Sequence, residues 1–200
     1  MENFSKWQKE GKGSRTLKCV LFVSRNKDNK GVEDFTERRK SFMTSKTVEE
    51  LKQDFISFAQ MGKKGETSRL YMSVNSRDNA KIQKALIHEL IDKEISIQSL
   101  PAFVTGIAAQ KENKAENKWL FDYDEDIERI DEFVSDIYKA DEYTPSKKEK
   151  LPLTVEVYKT PNGYAVITNR GFDTRGLLEK WKDVTLKRDD MICCYWITVE

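Results

Sequence analysis

One histidine serves the whole chain. His88 is the only imidazole among 200 residues, which excludes multi-histidine metal centres and removes the general base from most Ser-His and Cys-His designs. It sits in Ala85-Leu86-Ile87-His88-Glu89-Leu90, an amphipathic stretch, and reads as a helix-surface residue. Cysteine is almost as scarce. Cys19, Cys193 and Cys194 are too few and too poorly spaced for a disulfide framework or a zinc site. Cys19 and Cys194 fall in strand-like apolar runs, where a thiol acts as a small hydrophobe. The expectation is an intracellular, reducing, cytoplasmic location. No run approaches the roughly 18 apolar residues of a membrane span, and Met1-Glu2-Asn3-Phe4-Ser5-Lys6-Trp7 lacks the apolar core of a signal peptide. No membrane partner is expected. Charge of one sign is missing too: the net charge is +1, so no bulk field draws the protein onto nucleic acid, and any such site must be local.

What is present suits one globular domain. Hydrophobic residues make up 38% and charged residues 34%, which is polar but sufficient for a core. Residues 1–15 read as a mobile lead and 16–200 as a single domain. Strand-like runs occupy 16–24, 69–75 and 191–199, and a polar connection over 25–39 ends in a possible short strand. Thr47-Val48-Glu49-Glu50 has the form of a capping box, and the Val48, Leu51, Phe55, Phe58 spacing predicts a helix to about Gln60. Apolar positions at Ile82, Leu86, Leu90 and Ile91 predict a second helix over 78–93, and 100–109 is a short apolar helix or turn. Further helices are expected over 125–139 and from Asp173 to about Lys182. Residues 110–118 and 140–150 read as solvated loop and linker. Strands at 153–159 and 164–168 flank Pro161-Asn162-Gly163, a hairpin signal in which asparagine and glycine supply the positive φ of a tight turn. Strands and helices interleave, and the hairpin demands antiparallel pairing. The fold class is therefore α+β, with a mixed or antiparallel sheet covered by helices.

The chemistry concentrates in Lys118-Trp119-Leu120-Phe121-Asp122-Tyr123-Asp124. Side chains two apart on a strand share a face, so Asp122 and Asp124 project together. Adjacent carboxylates repel unless a cation lies between them, which points to a Mg²⁺ or Mn²⁺ site for phosphoryl or nucleotidyl transfer. The same acids, continued by Glu125-Asp126-Ile127-Glu128, also suit the plain end of a strand and a helix N-terminus.

An aspartate pair of the form apolar-Asp-apolar-Asp resembles the first motif of the archaeo-eukaryotic primase superfamily. Lys159-Thr160-Pro161-Asn162-Gly163-Tyr164, followed by a strand, is similar to its second motif, and Gly171-Phe172-Asp173-Thr174-Arg175 to the Phe-Asp segment of phage-type primase-like sequences. The likeness covers 118–175. It implies an RRM-like catalytic core in which Asp122 and Asp124 hold divalent metal. Asn162, Gly163, Arg170 and Arg175 would lie where phosphate is bound. The family's second-motif histidine falls at Ala165, which removes one phosphate anchor, and its third acid has no clear counterpart. Asp189-Asp190 reads more simply as a turn. Ala165 is expected on the same sheet face as the aspartates.

Arg69, Tyr71 and Arg77 could set a stacking tyrosine beside phosphate-binding arginines, but read more simply as ordinary strand and helix-entry residues. Lys9, Lys12 and Arg15, Arg38-Arg39-Lys40 and Lys63-Lys64 are basic clusters with acids close by. Gly11-Lys12-Gly13-Ser14 lacks the Walker spacing of a phosphate loop. Three functions follow from these residues. The first is a metal-dependent primase-like nucleotidyltransferase of possible phage or mobile-element origin. The second is a catalytically inactive primase-fold accessory protein that binds nucleic acid, a nucleotide or a host protein. The third is a purely structural or host-interaction protein whose aspartates are incidental.

Overall fold

A computed structural model describes residues 16–124, 127–144 and 151–200, without the side chains of Asp92 and Ile127. The expected N-terminal lead, the cations Lys9, Lys12 and Arg15, the acids Glu125 and Asp126, and residues 145–150 of the linker lie outside the described residues. The chain is α+β, with every strand pairing antiparallel. Its strands fall into two four-stranded sheets, each in its own compact unit: residues 16–116 with Met191–Glu200, and Asn117–Asp190. No helix among the described residues is long and apolar enough to cross a membrane.

In the first unit, β1 (Lys18–Ser24), β2 (Arg38–Thr44), β3 (Thr67–Ser73) and β8 (Met191–Thr198) are ordered β2-β1-β3-β8. Helix α1 (Val48–Gln60) starts at the expected capping box. Thr47 Oγ1 accepts from Glu50 N, and the Glu50 carboxylate accepts from Thr47 N. Phe55 and Phe58 of α1 pack edge-on and tilted against Phe22. The opposite face of the sheet is covered at one end by α2 (Asn79–Asp92) and α3 (Leu100–Ala108), through Ile82, Ile107 and Ala108 around Cys19. Asp78 caps α2, accepting from Ala80 N and Lys81 N. His88 is exposed on α2, and all three cysteines are free and buried.

The second unit runs β4 (Trp119–Tyr123), α4 (Ile130–Glu142), β5 (Val155–Lys159), β6 (Tyr164–Thr168), α5 (Arg175–Lys180), β7 (Val184–Lys187). This is a βαββαβ unit, and its order β5-β6-β4-β7 is that of an RRM-like sheet. Alternation builds its core. Phe121 and Tyr123 from β4, Val166 from β6 and Val184 from β7 face the helices, meeting Phe133, Ile137, Leu177 and Trp181. Phe133 sits among the rings of Phe121, Tyr123 and Trp181.

One carboxylate ties the two helices. Asp136 of α4 accepts from Lys180 Nζ at 2.6 Å, from Trp181 Nε1 at 3.1 Å and, from its own helix, Lys139 Nζ at 3.1 Å. Burial alone would raise its pKa, but these donors outweigh it and bring the group down to about 2. A carboxyl depressed on folding contributes stability that is full above its unfolded pKa and is lost as pH falls toward its folded one. Thermal midpoints should therefore fall between about pH 4 and pH 2, and Asp136→Asn should flatten that acid limb while lowering the midpoint at neutral pH.

Candidate functional site

The face of the second sheet turned away from α4 and α5 carries the aspartate. Strand β4 is aromatic and apolar, which favours extended chain, and its alternation sends Leu120 and Asp122 to this face. Asp122 stands opposite Ala165 of β6 and Thr185 of β7. The expected hairpin is therefore in the same sheet, and Ala165 shares the face of Asp122. Leu120, Ala165 and Ile167 are buried there. Asp122 is not: it sits at a rim with Lys187 and Asp190, side chains 38%, 34% and 42% exposed respectively.

These three groups form one cluster. Lys187 Nζ donates to Asp122 Oδ2 at 3.0 Å and lies 3.3 Å from Asp190 Oδ2. Burial opposes the lysine's charge, but the bond to Asp122 and the fields of both aspartates outweigh it and raise its pKa. Lys187 therefore stays protonated throughout the neutral range. Sequence reasoning missed it because it missed β7. The signal was the alternation Val184-Thr185-Leu186-Lys187, four residues long, with Val184 and Leu186 turned to the helices and Thr185 and Lys187 to the aspartate. Asp190, read from sequence as a turn residue, joins the cluster.

Asp124 lies just past the strand, exposed, beneath the hairpin tip. The tip closes with Thr160 N donating to Gly163 O at 2.9 Å and Gly163 N to Thr160 Oγ1 at 3.1 Å. The reason for glycine differs from the sequence expectation. Neither Asn162 nor Gly163 adopts a positive φ. What Gly163 supplies is room: a Cβ there would lie 2.2 Å from Tyr123 O and 3.2 Å from Asp124 Cα and Oδ1. Asn162 is exposed at the tip.

Within the second unit, Arg170 and Arg175 are not gathered around Asp122. Arg170 makes a two-pronged pair with Asp141 of α4, both bonds 2.7 Å, and so belongs to the helix side. Arg175 pairs with Asp173 and, with Lys180, Asp136 and Tyr143, lines a concavity of about 440 Å³ between α4 and α5. In the first unit, Arg69 is buried and donates to Asp28 Oδ1 at 2.6 Å, while Arg25 donates to the other oxygen at 2.7 Å. The Arg25 guanidinium lies 5.9 Å from the centroid of Tyr71. Burial first, then Cys193, raises the Tyr71 phenol, and the neighbouring arginines offset this only in part. Arg77 is buried, its backbone N–H donating to Leu17 O.

The fit to a divalent ion is partial. No group of three or more His, Cys, Asp or Glu side chains poised for a metal occurs among the described residues. Asp122 and Asp190, however, already converge on one cation, the Lys187 ammonium, and magnesium is commonly held by one or two carboxylates with water and phosphate completing the shell. No family model, no curated protein and no solved structure matches the chain.

Gly163→Ala should push the hairpin off β4 and destabilise the protein by about 1–3 kcal/mol, read as a lower urea midpoint. Asn162→Ala, at the exposed tip, should shift that midpoint much less.

Proposed function

We infer that this chain is a primase-like protein that has kept the nucleotidyltransferase fold but works as a binding module. On this reading it takes a nucleotide or nucleic acid by its phosphate at the Asp122–Lys187–Asp190 rim. The observation that carries it is the Lys187 ammonium shared between Asp122 and Asp190. The βαββαβ order of the second unit, and Ala165 directly opposite Asp122, support the primase comparison and its loss of catalysis together. A methyl group at 165 neither donates to a phosphate nor carries charge. Lys187, protonated and a third exposed, is the donor this rim offers to a phosphate oxygen. Asp122 and Asp190, with Asp124 at the end of the strand, would hold Mg²⁺ or Mn²⁺. Such an ion supplies positive charge that draws phosphate to an otherwise acidic rim. The three buried free thiols suit a reducing, cytoplasmic setting for that partner.

A second reading, an active metal-dependent nucleotidyltransferase, is favoured by the convergence of carboxylates from two places in the chain, Asp122 on β4 and Asp190 after β7. It lacks the histidine anchor, and Lys187 competes with any metal for the same oxygens.

Titration calorimetry with Mn²⁺ and a nucleoside triphosphate tests the rim, and a synthesis assay distinguishes the two readings. The wild type should give binding heat, Asp122→Ala with Asp190→Ala should abolish it, and Lys187→Met should tighten the metal component about tenfold by removing the competing ammonium. Mixed nucleoside triphosphates with Mn²⁺ should yield no dinucleotide or primer. Heat unchanged in the double variant would sink the rim as a site. Product formation that is lost in Asp122→Ala plus Asp124→Ala would establish the enzyme instead.

A further inference from the structure

Helices α2 and α3 cover only the Cys19 end of their face of the first sheet. At the other end the strand register lays out two rows on that face. Arg39, Val23, Arg69 and Trp196 stand side by side across β2, β1, β3 and β8. Ser41, Leu21, Tyr71 and Cys193 form the row beside them. Cys193 and Trp196 are an odd number of positions apart, which on a regular strand sends side chains to opposite faces. The bulge, which leaves Cys194 without a partner in the register, turns both to this one.

Trp196 is 40% exposed. The other described tryptophans pack on rings, Trp119 on Phe172 and Trp181 on Tyr123 and Phe133. Trp196 has no ring partner among the described residues. Arginines accompany it. Buried Arg69 holds one oxygen of Asp28, whose other oxygen holds Arg25. Arg25 is thereby fixed with its guanidinium 5.9 Å from the centre of the Tyr71 ring and its side chain 33% exposed. Arg39 is exposed and takes up no carboxylate among the described residues. Three arginines against the one aspartate leave this group two charges positive, in a chain whose net charge is only +1.

We propose that this end of the face is a stacking platform for single-stranded nucleic acid. One base lies on Trp196, a neighbouring one meets the Tyr71–Arg25 pair, and Arg39 contacts the backbone phosphate. An acidic peptide would answer the arginines and leave the indole bare; an apolar one would do the reverse. A single strand alternates anionic phosphate with a flat apolar face and so answers both, whatever its sequence. DNA and RNA share that chemistry. The surface belongs to the first unit, needs no metal and does not rest on the reading of the Asp122 rim.

Fluorescence anisotropy on the full chain tests this, with labelled oligo-dT and oligo-rU of about ten nucleotides in EDTA and about 50 mM salt. The chelator silences the rim, which receives phosphate only with a cation. The oligomers should bind, and a duplex of the same length should bind several-fold more weakly because its bases are already stacked. Binding of one oligomer alone would name which of the two the face takes. Trp196→Ala should weaken binding about tenfold, and Trp196→Phe should restore most of it. Arg39→Ala should lower the slope of log affinity on log salt by about 0.7. A wild type that binds neither oligomer, or binds them only with Mn²⁺, overturns the proposal, as does a duplex held as tightly as the single strand or an affinity indifferent to Trp196→Ala. The first outcome would leave the face to a protein partner. Should Trp196→Ala fail to fold, an unchanged salt slope in Arg39→Ala overturns the proposal alone.

Discussion

The carboxylate at the rim of the sheet face that carries Leu120, Ala165 and Ile167 is engaged by a cation. Asp122 obtains one from the next strand, because the RRM-like order puts β7 beside β4. Register does the rest: Thr185 stands opposite Asp122, so the next residue on that face, Lys187, reaches it diagonally. A pair this exposed contributes little to stability, on the order of 1 kcal/mol or less. Its consequence is chemical. It fixes which oxygen of Asp122 is engaged and brings Asp190 onto the same ammonium, so any phosphate or metal meets a cluster that already contains its own cation.

Much of this was legible in the sequence, and the parts that were not have physical causes. Local signals worked where one interaction sets an element's end. Thr47 and Glu50 announced α1, the apolar spacing from Ile82 to Ile91 announced α2, and the apolar spacing of 127–137 announced α4, although the helix begins at Ile130 after a 3₁₀ turn. That Ala165 shares the face of Asp122 was implied by the primase resemblance, and the register has the two residues opposite one another. Strand β7 did not, because four residues carry too short a pattern to separate from a turn and its pairing partner lies more than sixty positions earlier in the chain. Missing β7 concealed Lys187, and without Lys187 nothing drew attention to Asp190. The hairpin tip shows a subtler gap. The sequence named the right glycine for the wrong reason, since close approach to Tyr123 O depends on tertiary placement and not on the local turn.

The arginines show the limit of reading cations as phosphate contacts. Arg69, Arg170 and Arg175 each face a carboxylate, Asp28, Asp141 and Asp173 respectively. For Arg69 and Arg170 that partner is itself mostly buried. Withdrawing Arg170 toward a ligand would break its two-pronged pair with Asp141, and withdrawing Arg69 would leave Asp28 to Arg25, so these two hold elements together. Arg175 is exposed and free to turn, but it shares its concavity with Asp136, whose depressed pKa keeps it anionic across the neutral range.

With cations and acids nearly equal in number, 35 against 34, positive potential here arises only where local pairing leaves a donor accessible. Lys187 is such a donor: one ammonium serves two carboxylates, all three groups are open to water, and an ammonium can rotate among partners without breaking a planar fork. The arrangement is net acidic, so it repels a bare phosphate at long range. On the proposed reading a phosphate would be received only with a further cation to satisfy Asp122 and Asp190, so that phosphate recognition and cation binding at this rim would be a single coupled event.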